Sequence, residues 1–216
     1  MIARHRPDVK PKRTYDSSGR REQARQTRGR IIDTAERMFL RDGYSATTVQ
    51  AIAAVAGVSA DTIYKSFGGK PGLIRAIRDY ALHGEGPIPA ERRSDAIQQQ
   101  ESDPRAIITA WGDFVAELAP RGSPILLLIR NVAASDPEVR ALHDELDAAR
   151  LKRMTTNARR LRDAGHLRPG ISLAHAADIL WTYSSPELYE LFVLRRGWTP
   201  ERYGRYVAEA MISALL

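Results

Sequence analysis

The chain has 216 residues, 33 Lys+Arg against 26 Asp+Glu for a formal net charge of +7, 43% hydrophobic residues and no cysteine. Without Cys there are no disulfides, thiolate nucleophiles or sulfur-ligated zinc sites, so a chain of this length must be held by packed cores in one large or two small domains. Its longest apolar run, 51–56, falls far short of the roughly 20 residues of a membrane span, and its basic start lacks the apolar stretch of a secretory signal. A cytoplasmic protein without membrane contact is expected.

The charge is concentrated. Residues 1–30 hold ten basic and three acidic side chains, net +7, whereas residues 31–216 hold 23 of each. Up to residue 21 no hydrophobic period appears, and Pro7, Pro11, Ser17, Ser18 and Gly19 punctuate the stretch. Residues 1–21 therefore read as a disordered basic arm suited to a polyanion.

Order is expected to begin near Glu22. Ile31, Ala35, Met38 and Phe39 share one helical face, and the helix should stop at Asp42-Gly43. A second helix carries Val49, Ile52, Ala53 and Ala56 behind Thr47 or Thr48 as N-cap, and Gly57 ends it. Ser59 can cap a third, short helix with Ile63 and Phe67 inward, and Gly68-Gly69 separates it from a fourth that Pro71 opens. Residues 84–103 are polar, with Pro and Gly at the start, and read as a linker or a loosely packed helix end. Further helices are expected over 104–118, 124–134, 137–164, 172–195 with a kink or restart at Pro186, and 200–216. No stretch alternates with period two. The fold class is all-α with about nine helices: an N-terminal three-helix unit within 22–83 and a larger helical domain over 104–216.

Residues 49–67 form helix, glycine turn, helix, which is a helix-turn-helix. At 100° per residue, with Ile63 inward, Phe67 lies about 40° and Ala60 about 60° away. The outward face then presents Asp61, Thr62, Tyr64 and Lys65, all able to hydrogen-bond in a major groove. Lys65 suits a guanine edge or a phosphate, Asp61 a cytosine amino group, and Tyr64 a phosphate oxygen. Lys70 and the first N–H groups of the fourth helix offer a further phosphate site.

The stretch TRGRIIDTAERMFLRDGYSATTVQAIAAVAGVSADTIYKSFGGKPGLIRAI, from Thr27 to Ile77, resembles the N-terminal domain of the TetR/AcrR family of transcriptional regulators. Ala35, Phe39, Gly43-Tyr44, Thr47-Thr48-Val49, Ile52-Ala53, Ala56-Gly57-Val58-Ser59, Ile63-Tyr64, Phe67, Lys70 and Leu73 fall in that family's register. The resemblance implies a homodimer that sets its third helices into a pseudo-palindromic double-stranded operator. It also implies DNA contacts at Thr27, Arg28, Thr47, Thr48, Tyr64, Lys65 and Lys70, and Ala60, Asp61 and Thr62 of the third helix join them in the expected DNA-binding set. Ser66 departs from the His or Tyr common there, and the basic arm is longer than usual.

Resemblance weakens beyond the fourth helix. The last two helices look like the dimerisation helices of some members, and Tyr203, Tyr206, Val207, Ala210, Met211, Ala214 and Leu215 form a matching stripe. A small-molecule cavity, where the chain has one, should be walled by the helices of residues 104–181. The candidates are Trp111, Phe114, Leu127, Leu128, Asn131, His143, Met154, Asn157, Trp181 and Tyr189, and they suit an apolar or aromatic effector.

Enzymatic readings find little support. The five His residues show no HExxH or paired metal spacing, there is no GxSxG, and Gly68-Gly69-Lys70 is followed by Pro71 where a phosphate loop needs Ser or Thr. No cofactor or metal is implied. The expected function is a ligand-released repressor; the alternative is a non-specific architectural DNA binder without an effector.

Overall fold

Helix boundaries fall where the chain supplies capping groups. In the computed structural model, which describes residues 18–83 and 88–216, the first helix α1 spans Ser18–Asp42 and yields at Gly43, whose φ of 88° suits glycine. Helix α2 (Val49–Ala56) starts on Thr48, whose hydroxyl accepts from the Ala51 N–H at 3.1 Å; α3 (Ala60–Phe67) starts on Ser59, which accepts from Thr62 in the same way. Helix α4 is Lys70–His83 and α5 Ala90–Gln100. Asp103 and Asp136 cap α6 (Pro104–Ala133) and α7 (Pro137–Asp163), each with proline in the first turn, where its missing N–H costs nothing. Ser172 caps α8 (Leu173–Tyr183), Ser185 caps α9 (Pro186–Tyr189), which runs on as a π-helical turn over Glu190–Arg195, and Thr199 caps α10 (Pro200–Leu215). Among the described residues there is no strand.

Three expectations are corrected. Helix α1 begins at Ser18, before Glu22, so Ser18 to Arg21 belong to it; the rest of the arm, 1–17, lies outside the described residues. Residues 90–100 of the expected linker are a helix packed on α6 and α4, with Ser94 buried. Residues 104–133 are one helix and not two, although Pro120 and Pro124 lie inside it. An interior proline removes a backbone bond and costs about 3 kcal/mol in isolation. Here α6 is held straight through by burial of Ile107, Ile108 and Trp111 on one side of the prolines and Ile125, Leu127 and Ile129 on the other. The restart at Pro186 is as expected.

Two cores result. The first joins Ile31, Phe39, Ile52, Ile63, Leu73 and Ile77 of the N-terminal helices to Ile125 and Ile129 of α6 and Val139, Leu142 and Leu146 of α7. The second gathers Ile108, Trp111, Leu161, Leu180, Tyr203 and Val207. Helices α6 and α10 cross at Gly112 and Gly204, so close that a Cβ on Gly112 would lie 2.5 Å from the Gly204 carbonyl oxygen. The N-terminal unit is thus docked on α6 and α7 through a shared core, and α10 clamps α6 from the other side.

Candidate nucleic-acid interface and effector cavity

The short α2–α3 turn is made by Gly57 in the left-handed region, φ 66°, donating back to the Ala53 and Ala54 carbonyls. With Ile63 fully buried, α3 turns Asp61, Tyr64, Lys65 and Ser66 outward, Tyr64 half-exposed. Asp61 and Lys65 pair along the helix at 2.6 Å, both well exposed. Such a solvated pair contributes little to stability, so Lys65 can exchange the carboxylate for a phosphate or base edge at small cost. Thr62 is half-buried and its hydroxyl is bonded to Ser59 at 2.9 Å. Ala60 is also half-buried, packed against the core. Thr48 is exposed at the start of α2, Thr27 is half-buried on α1, and Arg28 of α1 lies beside the C-terminal end of α3.

Two residues expected at the nucleic acid are turned inward. Thr47 is 2% exposed and its hydroxyl donates to the Gly43 carbonyl at 2.8 Å. Lys70 donates to the Tyr44 carbonyl at 2.7 Å and sits 4.2 Å above the centre of the Tyr44 ring. Burial lowers the Lys70 pKa against the opposing pull of Asp136, and burial, aided by Asp136 and Glu138, pushes the Tyr44 phenol up to about 12. Both side chains brace the helix-turn-helix in this state. The arginines of α1 brace it too. Arg28 lies 4.4 Å over the Phe67 ring with a long bond to the Ser66 carbonyl, and Arg30 donates to the Ala56 carbonyl at 2.9 Å. Each cation thereby meets the negative end of a helix, α3 or α2.

Below this unit lies a cavity of about 570 Å³, walled by α4 to α10 and apolar over most of its surface. Of the candidates, Trp111, Phe114, His143, Met154 and Asn157 are at its wall, and Leu127, Leu128, Asn131, Trp181 and Tyr189 are not. Leu128 packs against the N-terminal core, and Tyr189 is buried with its ring edge on Tyr203. Asn131 is exposed and takes a bond from Arg130, while Trp181 lies under the Arg150 guanidinium. Leu127 is buried elsewhere on α6. Leu82, Leu118, Arg150 and Tyr203 complete walls that the helical period did not distinguish from ordinary core.

The most informative missed residue is Arg121. It leaves α6 between Pro120 and Gly122 and bonds Asp33 and Glu36 of α1 at 2.8 and 2.9 Å, with its guanidinium 4.1 Å over the Tyr80 ring of α4. Burial would lower its pKa, but the two carboxylates outweigh that and raise it. A second tie runs from Arg75 on α4 to Glu145 on α7. No sequence signal marks either pair, because the partners are 70 or more positions apart.

An exposed, hydrogen-bonding third helix on a braced three-helix core defines a helix-turn-helix DNA-binding domain, here joined to a larger helical domain with a cavity. Residues 31–77 match the model of bacterial regulatory proteins, tetR family. The chain is 43% identical over 63 residues to the HTH-type transcriptional regulator TtgR of Pseudomonas putida, covering 29% of this chain and 30% of that protein. It is 37% identical over 71 residues to the uncharacterised HTH-type transcriptional regulator YvkB of Bacillus subtilis, covering 33% and 38%. The matches thus span about a third of these relatives, at the DNA-binding end. Over nearly the whole chain the fold is that of NalD, the secondary repressor of the MexAB-OprM multidrug efflux pump in Pseudomonas aeruginosa, with TM-score 0.66, 21% identity and coverage of 90% and 98%. It is likewise that of SmeT, solved as its triclosan complex, with TM-score 0.64, 20% identity and coverage of 88% and 92%. Residues 31–77 are thus those of a tetR-family DNA-binding domain, and the whole chain shares the fold of these solved regulators. No described helix is long and apolar enough to cross a membrane.

Proposed function

We propose that the protein is a ligand-released transcriptional repressor that binds a pseudo-palindromic operator as a homodimer. The observation that carries this reading is a single stretch of α6. Leu118, Ala119, Gly122, Ser123 and Leu126 wall the cavity while Arg121, in their midst, grips α1 and α4 of the DNA-binding unit. A ligand that moves this stretch changes the setting of α3. Tyr64, Lys65, Ser66 and Asp61 read the groove, with Thr48, Thr27 and Arg28 against the backbone, and the basic arm adds salt-dependent attraction. Pairing of two copies is assigned to the end of the chain, where Leu191, Leu194 and Tyr206 stand exposed beside an aromatic cluster of Phe192, Trp198 and Tyr206. Proteins of the same fold lend each half of the reading support, NalD as a repressor and SmeT as a binder of triclosan.

Selection of bound DNA from a genomic pool tests the proposal. One palindrome should emerge, with half-sites separated by whole helical turns, and binding should survive excess random DNA. Alanine at Tyr64 or Lys65 should weaken that binding without unfolding the protein. Removal of residues 1–17 should flatten its salt dependence. Recovery of no preferred site would leave an architectural binder and overturn the proposal.

A further inference from the structure

The cavity is apolar, yet it carries charged groups, and their pairing restricts what can enter. Three arginines line it. Arg78 is engaged by Asp79 at 2.6 Å, Arg150 by Asp147 at 2.7 Å and Arg153 by Asp95 at 2.7 Å. Arg150 is further held by the Trp181 carbonyl and the Ser184 hydroxyl. Of the lining carboxylates, Asp79 and Asp147 serve these arginines and Glu187 takes a bond from Arg130 at 3.2 Å. Glu91 stands exposed in the first turn of α5. An anionic ligand would therefore lose its hydration in a mostly apolar chamber whose arginines are already committed, and a cation would find only the solvated Glu91 uncommitted, while an unpaired buried charge is the costliest group to bury.

Two uncharged polar groups are in the opposite condition. Asn157, on α7, is 4% exposed; its Oδ1 accepts from Gln98 at 3.5 Å, and among the described residues no acceptor meets its amide nitrogen. Tyr203, on α10, is 1% exposed, and among the described residues its hydroxyl has no hydrogen-bond partner. Both residues line the cavity from different helices, with the rings of Trp111 and Phe114 also in its wall. Neither polar atom is sealed off from the cavity, so a ligand oxygen can reach each of them and gain a hydrogen bond in mostly apolar surroundings.

We propose that the cavity binds an uncharged aromatic molecule with at least two hydrogen-bonding oxygens, one accepting from the Asn157 amide and another bonded to the Tyr203 hydroxyl. The Trp111 and Phe114 rings contact its body. This deepens the effector reading and rests on it.

Calorimetric titration of the full chain with three probes tests the ligand class: bisphenol A, uncharged with two hydroxyls; decanoate, an anion; and tetraphenylphosphonium, a cation. Bisphenol A should bind at least about tenfold more tightly than either charged probe, and Asn157→Leu and Tyr203→Phe should each weaken it about tenfold. Thermal melting of each variant checks its fold, with Asn157→Ser as the second variant where Asn157→Leu does not fold. A charged probe that binds as well as bisphenol A, unaltered bisphenol A affinity in the folded variants, or no binding of any probe overturns the proposal. Release of operator DNA, measured separately, distinguishes the two readings. Binding of bisphenol A without release removes the effector role and leaves the ligand class standing, whereas release by a charged probe alone does the reverse.

Discussion

Replacing Gly112 by alanine opposes two effects of known sign. The added methyl would favour the helix by about 1 kcal/mol, since glycine is the poorer helix former. At this crossing, however, the Cβ would lie 2.5 Å from the Gly204 carbonyl oxygen and 2.7 Å from the Ala208 Cβ. The first neighbour is backbone and cannot rotate aside, so α6 and α10 must separate by about 1 Å to reach ordinary contact, and a gap of that size forfeits a quarter to a half of each facing dispersion contact. Overpacking of this kind costs about 3 kcal/mol at the upper end of its usual range. The net expectation is a loss of about 2 kcal/mol. Gly29, in the middle of α1, has nothing within 4 Å of the place a methyl would occupy, so Gly29→Ala should stabilise by about 0.5–1 kcal/mol. Guanidinium denaturation followed by circular dichroism, at one protein concentration, reads both as shifts of the midpoint at constant slope. If Gly112→Ala matches or exceeds the wild type, the close crossing of α6 and α10 is refuted.

Arg121→Met keeps an apolar stem for Tyr80 but leaves Glu36, whose side chain is 13% exposed, without its cation. Discounted for the half-exposed Asp33 partner, the loss should be about 1–2 kcal/mol, and effector-induced release of DNA should weaken more than DNA binding itself. Equal effector response in gel-shift titrations of variant and wild type would show that Arg121 transmits nothing. The Asp95 carboxyl is raised by burial but lowered more by Arg153 and Arg160, so its folded pKa lies below the ordinary value. Its contribution is therefore present above about pH 4 and lost as the pH falls through the folded value. Asp95→Asn should melt lower than wild type at neutral pH and lose less on acidification to about pH 3; parallel melting curves against pH would exclude Asp95 as the anchor of α5 on α7.

The features legible in the sequence are those with a local cause. Thr48, Ser59, Gly57 and Gly43 start or stop helices through bonds to residues three or four away, and the helical period of Ile63 and its neighbours follows from geometry alone. Where the cause is tertiary, the sequence is silent or misleading. Pro120 and Pro124 predict a break that packing of α6 on α10, α7 and α4 overrides. Lys70 and Thr47 have the chemistry of phosphate ligands, but the carbonyls of Tyr44 and Gly43 come within reach only once the chain has folded. The cavity shows the same limit. Trp111, Asn157 and Met154 line it while Tyr189 and Leu128 are core, and the helical period places all of them inward alike.

The placement of Arg121 also bounds how strongly effector and operator can be coupled. An effector shifts DNA affinity only by its difference in affinity for the two states, and a hundredfold loss of operator binding needs about 2.7 kcal/mol of that difference. Neither Pro120 nor Pro124 can donate a backbone bond, so α6 lacks two interior bonds around this segment, which eases its displacement. Resistance to displacement comes instead from the Arg121 contacts with Asp33, Glu36 and Tyr80 and from the Arg75–Glu145 pair. Partly exposed contacts of this kind together supply a few kcal/mol. That matches the requirement. On the proposed reading, the clamp is strong enough to set the recognition helix and weak enough for a ligand in a cavity of this size to release it.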